Sequence, residues 1–250
     1  MPSYLITGSS RGIGLALAAA LLKDPSNVVL ATARNPSSSE GLQDLAKRYP
    51  QERLTFISLD INVPEQIERA AREADKLLPH GLDYLINNAG VNLQVLVPFD
   101  EIDMDLFTEE VKSHTTPIMN ILRTFKPLVA RSTHKKVVFI SSDFGSISLA
   151  TDRAGVAIPY SVGKAAQNMI ARKWGLVNKE QGITTVVIHP GWVDTDMGNT
   201  VTDYVTKNMP HVGKAISREE CVAGIMKVIH QAKLEDAVQY LWYDGRELTW

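Results

Sequence analysis

Tyr160 and Lys164 lie four positions apart in the segment YSVGK, within a stretch of helical character. Residues at this spacing share one face of an α-helix, so the phenol and the ammonium are expected on the same side of any cleft that the helix borders. A phenol has a pKa of about 10, but a nearby positive charge favours the phenolate and lowers that pKa. The pair is therefore suited to proton transfer, although most Tyr-x-x-x-Lys pairs on helices have no chemical role.

A second chemical feature is the glycine-rich turn TGSSRGIG at residues 7–14, between an apolar run and a helix-like stretch. Gly8 can adopt backbone angles that clash for other residues, while Gly12 and Gly14 allow a ligand to approach the backbone closely. A helix that begins near Ile13 would point its amide groups and the positive end of its dipole at a phosphate. The spacing G-x-x-x-G-x-G differs from the G-x-G-x-x-G dinucleotide fingerprint, so a purely structural turn is the alternative.

Both features need a scaffold, and the rest of the sequence indicates alternating strands and helices. Most strand candidates are continuous apolar runs, which is typical of parallel strands covered on both faces. This alternation predicts an α/β fold, a single doubly wound (Rossmann-like) parallel β-sheet of about seven strands with helices on both faces. We predict strands at 3–7, 27–33, 54–59, 84–87, 136–142, 184–189 and 237–241, and helices at 13–23, 42–48, 64–78, 104–130, 160–181 and 218–232.

The composition predicts a single globular domain over residues 1–250. Of the 250 residues, 44% are hydrophobic and 22% are charged, and the formal net charge is −2. Because there is neither a basic stripe nor zinc-ligand spacing, we expect no nucleic acid partner and assign no metal site. No apolar run reaches the ~20 residues that span a bilayer, and the first residues do not resemble a signal peptide. With Cys221 as the single cysteine, we expect a reducing, cytoplasmic location without membrane attachment.

Five motifs in order along the chain resemble those of a known family. They are TGSSRGIG at 7–14, NNAG at 87–90, Ser142, YSVGK at 160–164 and Pro190-Gly191. Together they closely resemble the short-chain dehydrogenase/reductase family. The segments DYLINNAG, HPGWVDTDMG and YDGRELTW are similar to the carbonyl-reductase branch that includes sniffer, C-factor and fungal toxin ketoreductases.

The resemblance implies a catalytic group at the carboxyl end of the sheet. Tyr160 would protonate the oxygen of a carbonyl substrate, and Ser142 would hold that oxygen beside it. Together with the positive charge of oxidised nicotinamide, Lys164 would lower the pKa of Tyr160. By the resemblance, Lys164 would also bind the nicotinamide ribose. Ser142 is chosen over Ser141 because the family motif places the second serine there.

One position departs from the family pattern. Many members carry an asparagine in the central helix, and its backbone carbonyl holds a water that relays protons to the lysine. Alignment without a gap places His114 at that position, and a one-residue slip places Ser113 there. His114 either joins the proton relay, for which an imidazole is suited, or only packs within the helix.

The end of the second predicted strand bears on the choice of cofactor. In dinucleotide sites an acidic residue at this place accepts the ribose hydroxyls of NAD and repels a 2′-phosphate. Here the strand ends in Ala33-Arg34, and no acidic residue follows until Glu40. Arg34 can form charge-assisted bonds to a phosphate, and Arg11 in the glycine turn can add a second positive charge. Either arginine alone would more often be a solvated surface residue, but together they favour NADPH/NADP+ over NADH.

Further cofactor contacts are implied by the resemblance alone. Asp60 would bond the adenine, although it could equally cap the turn in LDINVP. Val193 and Thr195 would bond the nicotinamide carboxamide. The full predicted cofactor-binding set is Gly8, Ser10, Arg11, Gly12, Ile13, Gly14, Arg34, Asp60, Ile61, Asn87, Ala89, Gly90, Tyr160, Lys164, Pro190, Gly191, Val193 and Thr195.

A polar stretch after the sixth predicted strand, residues 192–217, interrupts the alternation of strands and helices. A long segment at this place commonly lies over the ligand cleft, so we predict a lid that covers the substrate. Its Met197, Tyr204 and Met209 either line an apolar pocket or are ordinary packing residues.

The sequence thus predicts an NADPH-dependent carbonyl or keto reductase that acts on a ketone or aldehyde, with aromatic polyketides as one substrate class. Two alternatives stay open. One is an NADP(H)-binding regulatory protein that performs no chemistry, and the other is an alcohol dehydrogenase that runs in the oxidative direction. The resemblance also implies a homodimer or homotetramer formed through the long helices, with a monomer as the alternative.

Overall fold

The computed structural model describes residues 1–153, 155–208, 210–236 and 238–250. Among them, seven strands form one parallel sheet in the order β3-β2-β1-β4-β5-β6-β7. Because β1 lies between β2 and β4, the chain leaves the centre of the sheet in opposite directions, which opens a crevice beyond the carboxyl end of β1. The strands are β1 (Ser3–Ile6), β2 (Val28–Ala33), β3 (Leu54–Ser58), β4 (Tyr84–Asn87), β5 (Lys136–Ile140), β6 (Thr184–His189) and β7 (Gln239–Trp242).

Helices cover both faces of the sheet, and each face has its own apolar core. One core contains residues of α1, α2 and α9, and the other contains residues of α3, α5 and α6. The helices are α1 (Gly12–Leu21), α2 (Glu40–Ala46), α3 (Pro64–Leu77), α4 (Met104–Ser113), α5 (Thr116–Ala130), α6 (Ile158–Asn178), α7 (Asp196–Asn199), α8 (Thr202–Asn208) and α9 (Arg218–Gln231). The predicted doubly wound α/β fold is confirmed. The short helices α7 and α8 lie in the stretch that we predicted to be a lid.

The prediction of one continuous helix over 104–130 is wrong, because α4 ends at Ser113 and α5 begins at Thr116. Pro117 lies in the first turn of α5. It has no N–H to bond the carbonyl of Ser113, and its ring would collide with that carbonyl in a continuous helix. The break places His114 between the two helices.

The last predicted strand is displaced towards the carboxyl end of the chain. We predicted residues 237–241, whereas β7 spans Gln239–Trp242. Residue 237 lies outside the described residues.

The start of α6 places the first turn of that helix at the carboxyl edge of the sheet. Ala157 precedes the helix with φ of +49°, a left-handed conformation that few side chains adopt. Its N–H donates to the Val95 carbonyl at 2.6 Å. Pro159 occupies the first turn, where a missing N–H has no cost. Tyr160 therefore follows directly after a fixed backbone junction.

Candidate active site

The glycine turn connects β1 to α1 and leaves the first amide groups of that helix open. Gly8 and Gly12 have φ of +70° and +57°, which favours glycine at both positions. A Cβ on Gly14 would lie 2.3 Å from the Gly8 carbonyl oxygen, so the backbone there has no room for a side chain. The Arg11 side chain does not cap α1, and the first turn contains no acidic residue. This helix terminus therefore has the chemistry of a phosphate site.

The NNAG segment is held against the glycine turn by hydrogen bonds. The Thr7 hydroxyl accepts from the amides of Asn88 and Ala89 at 2.9 and 3.0 Å. Asn88 in turn donates its side-chain amide to the carbonyls of Thr7 and Gly8. The neighbouring Asn87 Oδ1 is buried and has no hydrogen-bond partner among the described residues. An unpaired buried acceptor at the carboxyl end of β4 fits a nucleotide that brings its own hydroxyl donors.

The two candidate phosphate-binding arginines differ in their surroundings. Arg34 directly follows β2, is exposed and forms no ion pair within the described part of the chain. Arg11 pairs with Asp196 at 2.9 Å, and both side chains are largely exposed. Asp60 accepts a hydrogen bond from the Asn62 amide, so the turn role that we considered for it is present. Its contact with adenine stays a prediction.

The remaining predicted cofactor residues lie at the same edge of the sheet. Gly191 follows β6 with φ of +85°. Val193 pairs with Ile216 in a parallel bridge, so the two ends of the 192–217 segment meet. Thr195 Cγ2 lies 3.6 Å from where a Cβ on Gly12 would stand, which places Thr195 beside the glycine turn. Ser10 and Ile13 belong to the glycine turn, and Ile61, Gly90 and Pro190 follow β3, β4 and β6.

Of the three residues predicted to line a pocket under the lid, two are described. Met197 is 39% exposed, and Tyr204 is half-buried. Met209 lies outside the described residues. A pocket role for these side chains stays a prediction.

Ser142 and Tyr160 meet beyond the carboxyl end of β5. The Ser142 hydroxyl is buried, accepts from the Phe144 amide at 3.3 Å and lies 3.4 Å from Asp143 Oδ1. The Tyr160 ring packs edge-on against Phe144 at 6.4 Å between centroids. Burial raises the pKa of Tyr160 above its ordinary value, and a hydrogen bond with the Ser142 side chain opposes that rise. The carboxylates of Asp143 and Glu110 add to the rise.

Lys164 lies on the same side of α6 as Tyr160, as the spacing predicted. Its Nζ is 5.6 Å from the Tyr160 ring centroid and donates to the Ile140 carbonyl and to Gln167 Oε1, both at 3.0 Å. Burial lowers the pKa of Lys164 to about 7. In the chain without a cofactor, burial outweighs any effect of Lys164 on the pKa of Tyr160. The predicted fall of that pKa beside Lys164 and oxidised nicotinamide stays a prediction. The ammonium is directed at Ile140 and Gln167, and the desolvation of Tyr160 dominates.

His114, rather than Ser113, faces this group. Its ring is fully buried and packs edge-on against Tyr160, with centroids 5.4 Å apart and planes at 83°. Nε2 lies 2.9 Å from the Val91 carbonyl oxygen, so the neutral ring donates from Nε2. Nδ1 is buried and makes no well-formed hydrogen bond among the described residues, although the Gln167 side chain is close enough to oppose the fall in the pKa of the ring. Burial, with a smaller effect of Lys164, lowers the pKa of His114 to about 3, whereas the Ser113 hydroxyl is bonded to the Glu110 carbonyl.

Gly163 provides the space for the His114 ring. A Cβ at Gly163 would lie 2.7 Å from His114 Cδ2. We expect Gly163→Ala to lower the free energy of unfolding by about 1–3 kcal/mol, because the buried ring has no room to move. His114→Asn in the same chain should recover part of this loss, since the smaller side chain of asparagine can turn out of the place that Cδ2, the closest contact, occupies. Urea unfolding of the single and double variants measures both effects.

Gly155→Ala is the matched control, because a Cβ at Gly155 would meet no atom within 4 Å. Equal destabilisation by Gly163→Ala with histidine or asparagine at position 114 would contradict the steric explanation.

Several contacts that hold the backbone at and around Ser142 were missed in the sequence. The Tyr240 hydroxyl donates to the Ser142 carbonyl. The Ser141 hydroxyl donates to Asn168 Oδ1 at 2.5 Å, and Asn168 Nδ2 donates to the Gly145 carbonyl at 3.1 Å. Tyr240 is 98 positions from Ser142, so no local spacing pointed to it. Asn168 lies four residues after Lys164, so the same helical spacing could have predicted that it shares a face of α6 with Tyr160 and Lys164.

Neither a metal cluster nor a membrane helix is found in the described ranges. No group of three or more His, Cys, Asp or Glu side chains there could hold a metal ion. No helix in this part of the chain is long and apolar enough to cross a bilayer.

The parallel sheet, the open glycine turn and the Ser-Tyr-Lys group at one edge define a dinucleotide-dependent oxidoreductase. Residues 3–205 match the family model described as short chain dehydrogenase, so the chain belongs to the short-chain dehydrogenase/reductase family.

Individual relatives agree with this assignment. The chain is 34% identical over 210 residues to the short-chain dehydrogenase/reductase atnB of Arthrinium sp, covering 78% of this chain and 76% of that protein. It superposes with a TM-score of 0.87 on the NADPH-bound carbonyl reductase from chicken fatty liver, at 31% identity and with 100% and 99% of the two chains covered. The carbonyl reductase Sniffer of D. melanogaster gives the same TM-score at 25% identity, with both chains fully covered.

Proposed function

We propose that the protein is an NADPH-dependent carbonyl reductase that converts a ketone or aldehyde to an alcohol. Bound NADPH supplies the hydride to the carbonyl carbon, and the Tyr160 hydroxyl supplies the proton to the oxygen. The observation that carries this proposal is the contact of Tyr160 with Ser142 at the sheet edge that also holds the open glycine turn. The NADPH named for the chicken carbonyl reductase supports the cofactor.

The surroundings of Tyr160 favour reduction over oxidation. A reductase needs the phenol protonated before hydride transfer, whereas an alcohol dehydrogenase needs the phenolate as a base. Burial raises the pKa of Tyr160, which keeps its proton in place at neutral pH. The Ser142 hydroxyl, already within hydrogen-bonding reach of Tyr160, would hold the substrate oxygen.

His114 takes part in the proton relay as an acceptor in this proposal. A ring with a pKa of about 3 stays neutral at physiological pH, so it cannot carry the proton as imidazolium. The bond from Nε2 to the Val91 carbonyl leaves Nδ1 to accept a hydrogen bond from a group of the relay. This role replaces the proton-carrying imidazole that the sequence suggested.

The cofactor would lie across the carboxyl edge, with its pyrophosphate at the start of α1. Arg34 would bond the 2′-phosphate, since it is exposed and unpaired among the described residues. Lys164 would bond the nicotinamide ribose, and Val193 with Thr195 would bond the carboxamide. The 192–217 segment, closed at its ends by the bridge of Val193 with Ile216, would cover the substrate.

An assay of NADPH oxidation with a panel of aldehydes, aromatic ketones, quinones and diketones tests the function. We expect turnover with at least one apolar carbonyl compound, and aromatic polyketides belong in the panel because Phe144 packs beside Tyr160. Tight binding of NADPH without turnover on any substrate would instead indicate a regulatory protein. Oxidation of alcohols with NADP+ but no carbonyl reduction would indicate the oxidative alternative.

A homodimer through α6 is part of the same proposal. Val162, Met169 and Leu176 recur at intervals of seven along this helix and are 43%, 57% and 50% exposed. Such a stripe on a long helix fits the equivalent stripe of a second copy. The mass of the protein in solution, with Met169→Glu as the disrupting variant, tests this arrangement. The cytoplasmic location stays a prediction.

A further inference from the structure

Gln167 lies one turn after Lys164 on α6, and no step proposed above uses it. It is 1% exposed, and a polar side chain at such depth requires hydrogen bonds. Its Oε1 accepts from Lys164 Nζ at 3.0 Å, and its Nε2 donates to the Ile140 carbonyl at 3.3 Å. We propose that Gln167 is a positioning residue for Lys164, fixing the direction of the ammonium and keeping its positive charge only weakly stabilised. The role assumes the reductase chemistry proposed above.

The number of N–H donors on Lys164 explains how the Gln167 amide sets the direction of the ammonium. A lysine ammonium has three N–H donors. Two of them are directed at the Ile140 carbonyl and Gln167 Oε1, each at 3.0 Å. The third N–H of Lys164 is then left to donate to the cofactor ribose, beside Tyr160. Because Gln167 Nε2 is itself tied to Ile140, the acceptor cannot swing away from the lysine.

The second part of the role is electrostatic. Lys164 is surrounded by the Tyr160 ring from α6 and by the neutral His114 from the break between α4 and α5. Burial lowers the pKa of Lys164, and no carboxylate among the described residues opposes that fall. A neutral amide oxygen stabilises an ammonium less than a carboxylate at the same distance would. Gln167 therefore orients the Lys164 side chain and stabilises its protonated form only weakly.

Two substitutions of similar size separate this role from simple packing. Gln167→Glu places a carboxylate at the lysine and should raise its pKa, which moves the alkaline limb of kcat/KM for carbonyl reduction up by roughly 1–3 pH units. Gln167→Met removes the acceptor and should move that limb down. Gln181→Glu, which adds the same charge at an exposed site after α6, is the control and should leave the limb in place.

A readout without cofactor or substrate keeps the test independent of the proposed activity. The folded-state pKa of Lys164 is about 7. In the unfolded chain it is about 10.4, so the unfolded state binds more protons between these values and stability should rise with pH there. Gln167→Glu should flatten this rise, because it brings the folded pKa closer to the unfolded one, whereas Gln167→Met should retain it. The melting temperature of the cofactor-free variants across this window measures the effect.

The two experiments fail in different ways. Absence of wild-type turnover on every carbonyl would overturn the reductase function, while the stability profiles would still test Gln167. Profiles of Gln167→Glu that match the wild type in both activity and melting temperature would overturn the role of Gln167. A uniform fall in stability and rate for both variants, without opposite shifts in pH, would show a packing role only and would also overturn it.

Discussion

Tyr160→Phe should lower kcat for carbonyl reduction by roughly 10²- to 10⁴-fold, the range that loss of a general acid produces. Phenylalanine keeps the ring that packs edge-on against His114 and Phe144, so the site should retain its shape. It lacks the hydroxyl that contacts Ser142 and would protonate the substrate oxygen. The Kd for NADPH should stay nearly unchanged, because the proposed phosphate contacts lie at the glycine turn and Arg34. Single-turnover kinetics with saturating NADPH measure the chemical step directly.

Tyr4→Phe is the matched control for this variant. Tyr4 is a buried tyrosine of β1 that stacks on Tyr84 in the sheet, away from the candidate catalytic group. The Tyr4→Phe variant should be less stable to unfolding but should keep the wild-type rate of carbonyl reduction. If Tyr160→Phe turned over carbonyl substrates at the wild-type rate, Tyr160 would not be the proton donor.

Much of the scaffold was predictable because parallel strands buried on both faces leave continuous apolar runs. The β4 and β6 bounds agree with the prediction to the residue. The break at His114 was not predicted, because the apolar periodicity continues across it and only Pro117 marks it. Pro117 alone could have indicated the break, since proline is favoured in the first turn of a helix.

The candidate catalytic side chains were predictable from motifs, but their electrostatics were not. Spacing places Lys164 beside Tyr160, yet it does not tell how deeply either side chain is buried. In the chain without a cofactor, burial raises the pKa of the phenol and lowers that of the ammonium. Gln167 and Tyr240 were missed for a related reason, since their roles depend on contacts with Ile140 and Ser142 that only the packed sheet creates.

Arg34→Asp should invert the cofactor preference. Arg34 is exposed at the end of β2 and forms no ion pair with the described residues, so its guanidinium is available to a 2′-phosphate. Removing a charge-assisted contact and adding a repelling carboxylate should weaken NADPH by about 3–4 kcal/mol, or roughly 10²- to 10³-fold. The same carboxylate can accept the ribose hydroxyls of NADH, which should bind more tightly. The ratio of Kd values for the two cofactors is the measurement.

Arg123→Asp controls for the change in net charge, because Arg123 is exposed on α5 and lies outside the predicted cofactor set. It should leave the ratio unchanged. An unchanged ratio for Arg34→Asp would contradict the assignment and point to Arg11 as the residue that reads the phosphate. In that case Arg11 would have to leave its 2.9 Å ion pair with Asp196 when NADPH binds. Asp196→Asn would then strengthen NADPH binding, whereas it should have little effect if Arg34 holds the phosphate.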